Sequence, residues 1–223
     1  MNGLWTDVIP NWLSSIGTIG AVLVALFQRR ISVFINRPKI KISCANSSPF
    51  VEEIISNKDS STDEKEMIIR VLVENTGRTT ADHCVVNIDC YYEKRSSDDT
   101  FCKSIFTPIQ IKDYRSVSPS HIAPHLAYYL DVVAIRKSDE MVTSDETKKS
   151  HQFYKLFLLG DKSPKKIGKG TFIIPIKISS PRIDTTIGYL KVYWDSDRYN
   201  TDSKHFGLKM ISNKEFDKLS KTE

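Results

Sequence analysis

The chain has 223 residues, with 32 Lys and Arg against 27 Asp and Glu and a formal charge of +5 at pH 7. So mild an excess, concentrated in two short stretches, gives no support for direct nucleic-acid binding. The four cysteines show neither C-x-x-C spacing nor a short disulfide framework, which fits a reducing compartment.

In chain order, the first element is Val8–Gln28 (VIPNWLSSIGTIGAVLVALFQ), which carries no charged residue and lies between Asp7 and Arg29-Arg30. A helix rising about 1.5 Å per residue over that run matches a bilayer core, so the sequence predicts one N-terminal transmembrane α-helix. A cleaved signal peptide is disfavoured, because no Lys or Arg precedes the run and no small-x-small site follows it. A buried core helix is the competing reading, since Asn11, Ser14, Ser15 and Thr18 lower the hydropathy. Arg29, Arg30, Arg37, Lys39 and Lys41 follow the run, so the positive-inside rule puts the C-terminal domain in the cytoplasm. Arg29, Arg30, Arg37 and Lys39 are the expected headgroup contacts, with Trp5, Trp12 and Phe34 as interfacial anchors. Gly17, Ala21 and Ala25 recur every four residues with Ser14 and Thr18 beside them. Small and hydroxyl side chains so spaced favour close helix approach, hence helix association and a homo-oligomer.

Arg29–Asn36 (RRISVFIN) extends the helix into the headgroup region, and Pro38 ends it. Strand-like alternation then begins: KIKIS (39–43), MIIRVLVEN (67–75), CVVNIDCYY (84–92), AYYLDVVAI (127–135), FYKLFLL (153–159), TFIIPIKIS (171–179) and IGYLKVYW (187–194). Turn signals separate these runs, among them Asn75-Thr76-Gly77 and Ser180-Pro181. Ser56–Glu66 and Ser138–Ser150 read as polar loops, the second with room for a short helix. About seven to nine short strands without an intervening helical pattern predict an all-β fold. The expected organisation is a helix and basic segment over 1–37, one antiparallel β-sandwich over 38–211 and a tail over 212–223. Phe216 and Leu219 of that tail are expected to dock a short helix.

MIIRVLVENTGRTTADHCVVNIDCYY (67–92) resembles a strand pair of immunoglobulin-like adhesion-type domains. In that resemblance Asn75 and Gly77 turn the chain, and Ala81 and Val85 resume on the buried face. SPSHIAPHLAYYLDV (118–132) and KGTFIIPIKI (169–178) are similar to further strands of such domains. The opening WLSSIGTIGAVLVAL (12–26) resembles bacterial single-span membrane proteins with a cytoplasmic sandwich. These include small membrane effectors of antiphage defence loci, some beside retron reverse transcriptases. The resemblance implies an immunoglobulin-like sandwich behind a bacterial inner-membrane anchor. It also implies a protein partner, for which a retron-like nucleoprotein complex is one candidate. Such motifs carry fold, not function.

Catalytic motifs are absent: no phosphate-binding glycine loop, no H-E-x-x-H and no G-x-S-x-G. His121 and His125 flank Pro124 and read as turn residues. His83, Cys84 and Cys90 lack zinc-site spacing, and Asp195, Asp197 and Asp202 lack the glycine and glutamate of a calcium loop. No catalytic residue, metal or cofactor is expected. Lys162, Lys165, Lys166 and Lys169, in a predicted hairpin loop, form the one candidate binding loop. The competing reading is a charged loop that discourages edge-to-edge aggregation.

The function expected is a non-enzymatic membrane effector. Its sandwich binds a partner or ligand and controls assembly of N-terminal helices that disrupt the inner membrane. The alternatives are a tethered adaptor that recruits a soluble protein, with the helix only an anchor, and a tethered enzyme, which the missing motifs disfavour.

Overall fold

A run of apolar residues spaced for a helix, then apolar residues spaced for strands, gives the chain two units, Met1–Arg37 and Pro38–Glu223. The computed structural model describes residues 9–56, 64–94, 100–111, 120–142, 151–159, 165–181, 183–195 and 206–220.

The first unit is helix α1, Ile9–Ile35, 27 residues long. Pro10 is tolerated in its first turn, where a missing N–H costs nothing, and the helix stops short of Pro38. Its described apolar side chains, among them Trp12, Leu13, Ile16, Ile19, Leu23, Leu26 and Phe27, are all exposed. The side chains at 9–11, 15 and 29–35 lie outside the description. Among the described residues no helix is long and apolar enough to cross a membrane. Ser14, Gly17, Thr18 and Gln28 dilute the apolar run of α1.

The second unit is antiparallel β. Its strands are β1 (Ile40–Ser43), β2 (Val51–Ser56), β3 (Glu64–Asn75), β4 (Ala81–Asp82), β5 (Val85–Lys94), β6 (Cys102–Gln110) and β7 (His121–Ile122). They continue with β8 (Ala127–Val142), β9 (His151–Leu158), β10 (Lys165–Gly168), β11 (Gly170–Ser180), β12 (Ile183–Trp194) and β13 (Phe206–Ile211), and helix α2 (Asn213–Ser220) closes the chain. One sheet runs β1-β3-β8-β9-β10, with β2 also on β3; the second runs β13-β12-β11-β5-β6; β4 and β7 pair separately.

Alternate residues of both large sheets fill a common core. Met67, Ile69, Val71 and Val73 of β3 meet Val86 and Ile88 of β5, Phe172, Ile174 and Ile176 of β11, and Val192 and Trp194 of β12. An extra residue in β8 shifts its register between Ile69↔Val133 and Arg70↔Asp131. That bulge turns both Val132 and Val133 into the core. Gly188 is where β1 can lie against β12: a Cβ there would stand 2.9 Å from Met210 Cε and 3.0 Å from Ile42 Cδ1.

The outer face of the second sheet carries α2. Ser212 caps it, accepting from the Glu215 N–H at 3.2 Å, and Phe216 stacks on Tyr189 at 4.1 Å. Phe216, Ile173 and Ile211 form a second apolar cluster with Tyr92 and Leu219.

Several elements differ from the sequence reading. Strands β2, β6 and β13 escape it because VEEIIS, CKSIFTPIQ and FGLKMI alternate poorly. Two acids, Pro108 and a glycine break their patterns. Ser138–Val142, read as loop or helix, continues strand β8, paired through Met141↔Gln152 and Val142↔His151. Strands also take both ends of the expected 56–66 loop. Val86, not Val85, faces the core, because His83 at φ 51° resets the register between β4 and β5.

The two long sheets are closed at one end by Asn75, a fully buried amide at the tip of β3. Its Nδ2 donates to the carbonyls of Thr79 and Ile122, each at 2.8 Å. Its Oδ1 accepts from the Lys39 N–H at 3.1 Å and the Gly77 N–H at 2.9 Å. Every hydrogen-bonding position of the amide is thereby used. Asn75→Ala should lower stability by about 3 kcal/mol, because four backbone groups, two of them fully buried, lose their partner. Asn75→Asp should cost a similar amount at neutral pH, with its carboxylate facing two carbonyls. That deficit should shrink as acidification protonates the carboxyl, because the buried site favours its neutral form. Urea unfolding of both variants at two pH values checks this.

Candidate functional site

Among the described residues, the side chains singled out on α1 lie together. With 3.6 residues per turn, Ser14, Gly17, Thr18, Ala21 and Ala25 fall within an arc of about 100° on α1. Gln28 falls in the same arc, three residues after Ala25; the sequence reading passed over it. Bulky residues line the opposite face: Trp12, Ile16, Ile19, Leu23, Leu26 and Phe27. The Thr18 hydroxyl donates to the Ser14 carbonyl at 2.9 Å, so its proton is spent within the helix while its oxygen still accepts. A Cβ on Gly17 or Gly20 would meet nothing within 4 Å, so the arc is open.

The basic residues separate. Arg29 and Arg30 contribute backbone to α1, with side chains outside the description, and Arg37 is exposed at the end of the first unit. Lys39 belongs to the β domain, its N–H on Asn75 and its carbonyl accepting from the Thr76 N–H at 2.8 Å. The lysine loop is corrected. Lys165 and Lys166 lie on strand β10, paired with Leu158 and Phe157 of β9, rather than in a hairpin loop. Strand β10 is the outer strand of its sheet among the described residues. Lys169 is half-buried beyond it, and Lys162 lies outside the described residues.

The β domain brings together charges that sequence spacing does not. Arg70 Nε donates to Asp131 Oδ1 at 2.6 Å and its Nη1 pairs with Glu52, joining β2, β3 and β8 on the outer face of the first sheet. On the second sheet Lys177 pairs with Asp89, and the ammonium holds that carboxyl below its usual range. Strands β4 and β7 pair Asp82 with His121, residues 39 apart, and set His121 Nδ1 3.1 Å from Asp82 Oδ1. The His83 ring stands 5.5 Å from that of His121. His125, at φ 61°, donates its backbone N–H to the Asn75 carbonyl at 2.8 Å. All three imidazoles are exposed at the end of the domain that Asn75 closes. The β4–β7 pairing, with the Cys84 N–H donating to the Ser120 carbonyl at 3.0 Å, brings His83 beside His121, and no spacing in the sequence announces it.

Burial works against activation of the inner thiols. Burial pushes the Cys44 and Cys90 thiols up to about 11. Burial, with Asp82 nearby, also raises Cys84. All four cysteines are free, and among the described residues no three His, Cys, Asp or Glu side chains are grouped to hold a metal ion. No family model, curated protein or solved structure matches the chain.

Thiolate is the reactive form, so alkylation near pH 8 should modify exposed Cys102 first. Cys44 and Cys90 should react at least about tenfold more slowly until the protein is unfolded. Mass spectrometry of a time course checks the order.

Proposed function

We propose that the protein is a membrane effector in which α1 associates with copies of itself in the bilayer and the β domain governs that assembly. The observation that carries this reading is α1: a 27-residue helix whose described apolar side chains are all exposed, with no acid or base from Ile9 to Gln28. Water alone is a poor solvent for such a surface; lipid and neighbouring helices satisfy it. The same polar arc that dilutes the hydropathy of a single helix becomes an advantage in a group. Ser14, Gly17, Thr18, Ala21, Ala25 and Gln28 then face one another while the bulky face meets lipid. Arginines after the span, with none before it, support a cytoplasmic β domain at a bacterial inner membrane.

The β domain supplies control rather than chemistry in this reading. The neighbour orders β1-β3-β8 and β6-β5-β11-β12 support an immunoglobulin-like reading of its sheets, while β9 and β10 stand where such a domain has strand D. Sandwiches of that type present binding surfaces on edges and loops, and a protein or nucleoprotein partner of an antiphage defence locus fits as the trigger.

Gly17→Leu with Ala21→Leu tests the reading cleanly. A Cβ on Gly17 meets nothing in the chain itself, and leucine favours a helix, so neither fold nor helix is expected to suffer. Cells expressing the wild-type chain, with its trigger where one is needed, should depolarise and lose viability. The double variant at equal abundance should do neither. Depolarisation that persists in the variant would reject helix association through this arc.

A further inference from the structure

We infer that the end of the β domain closed by Asn75 is a docking surface for an anionic lipid surface, strengthened by acid and formed by Lys39, Arg78, His83, His121, His125 and Leu126. The inference rests on the membrane reading of α1 and adds a second contact to it.

Chain connection selects this end. The β domain begins at Pro38, and Lys39 is tied at once to Asn75 and Thr76 by hydrogen bonds of 3.1 Å and 2.8 Å. Residues 36–38 alone separate that tie from Ile35, so a bilayer holding α1 keeps this end of the domain within a few residues of its surface.

What the end displays suits such a surface. Lys39 and Arg78 are exposed, and Leu126 is 50% exposed although it lies between the core strands β7 and β8. Three of the five histidines in the chain stand here, with His121 57% exposed. Their backbones have turn duties, since His83 and His125 hold positive φ. Asparagine would serve a left-handed turn as well, so the backbone does not call for imidazole.

Histidine is the side chain that gains charge between about pH 8 and pH 5. Among the described residues the neighbouring titratable groups are few. Asp82 faces His121, Cys84 follows His83, and Glu74 lies opposite Lys41 on the β1–β3 ladder. Asp82 pairs with His121, and every proton gained by the ring set adds positive charge beside Lys39 and Arg78. An anionic leaflet at about −30 mV concentrates protons about threefold at its surface, which favours the same charged form.

The full chain, reconstituted in vesicles of phosphatidylcholine alone or mixed with phosphatidylglycerol, tests this by flotation and by hydrogen exchange of segments 76–84 and 120–126. At about pH 5.5, corrected for intrinsic rates, exchange should slow at least about fivefold on the anionic vesicles relative to the neutral ones. At about pH 8 the difference should be smaller. A His83→Asn/His121→Gln/His125→Asn variant, with an unchanged unfolding midpoint, should lose the acid-dependent part. Equal exchange on both vesicles, or an unchanged response in the variant, overturns the docking surface and leaves α1 in the membrane. Failure of the chain to float with either vesicle overturns both readings.

Discussion

The carboxamide of Asn75 is the joint on which the β domain depends. A buried primary amide is costly unless each of its donors and acceptors is met, and here four backbone groups from three places meet it. The groups belong to the entering chain at Lys39, the turn after β3 at Gly77 and Thr79, and strand β7 at Ile122. One side chain thus fixes where the polypeptide enters, how it leaves the first sheet, and how the small β4–β7 ladder seats against the large ones. The histidine positions follow from that: His125 is bonded to the carbonyl of Asn75 itself, and β7 presents His121 to Asp82.

Around this joint the two faces of the domain are finished differently. The first sheet ends outwardly in an ion-pair network, Arg70 between Asp131 and Glu52, at the bulge that also sends two consecutive valines inward. The second sheet ends outwardly in aromatic packing, Phe216 of α2 against Tyr189 and Tyr92. A bulge and a capped terminal helix thus serve the same need, which is to give an outer sheet face something to do other than stick to another chain.

The helix and the β domain place opposite demands on solvent. Every described apolar side chain of α1 is exposed, whereas Trp194, Phe172 and their neighbours are sealed between the sheets. A chain with both properties gains from an environment with both an apolar and an aqueous phase. That contrast connects the first unit to the membrane reading more strongly than any single residue does.

The sequence by itself determined what depends on local spacing. Charge-free residues from Val8 to Gln28 and Pro38 beyond them fixed a helix that ends at Ile35; period-two alternation fixed the long strands β3, β5, β8, β11 and β12. Asn75 and Gly77 announced their turn, and Phe216 with Leu219 announced α2, because turns and apolar helix spacing are written within four residues. Tertiary structure decided what depends on partners far along the chain. Strands β2, β6 and β13 carry too little alternation of their own and exist because a stronger strand beside them supplies the hydrogen bonds. Lys165 and Lys166 became an edge strand for the same reason. His121 met Asp82 through a two-pair ladder that joins residues 39 apart, and Asn75 reached 47 residues to Ile122. Local pattern names the elements; which of them become neighbours is settled by burying one shared core, and no short window of sequence contains that information.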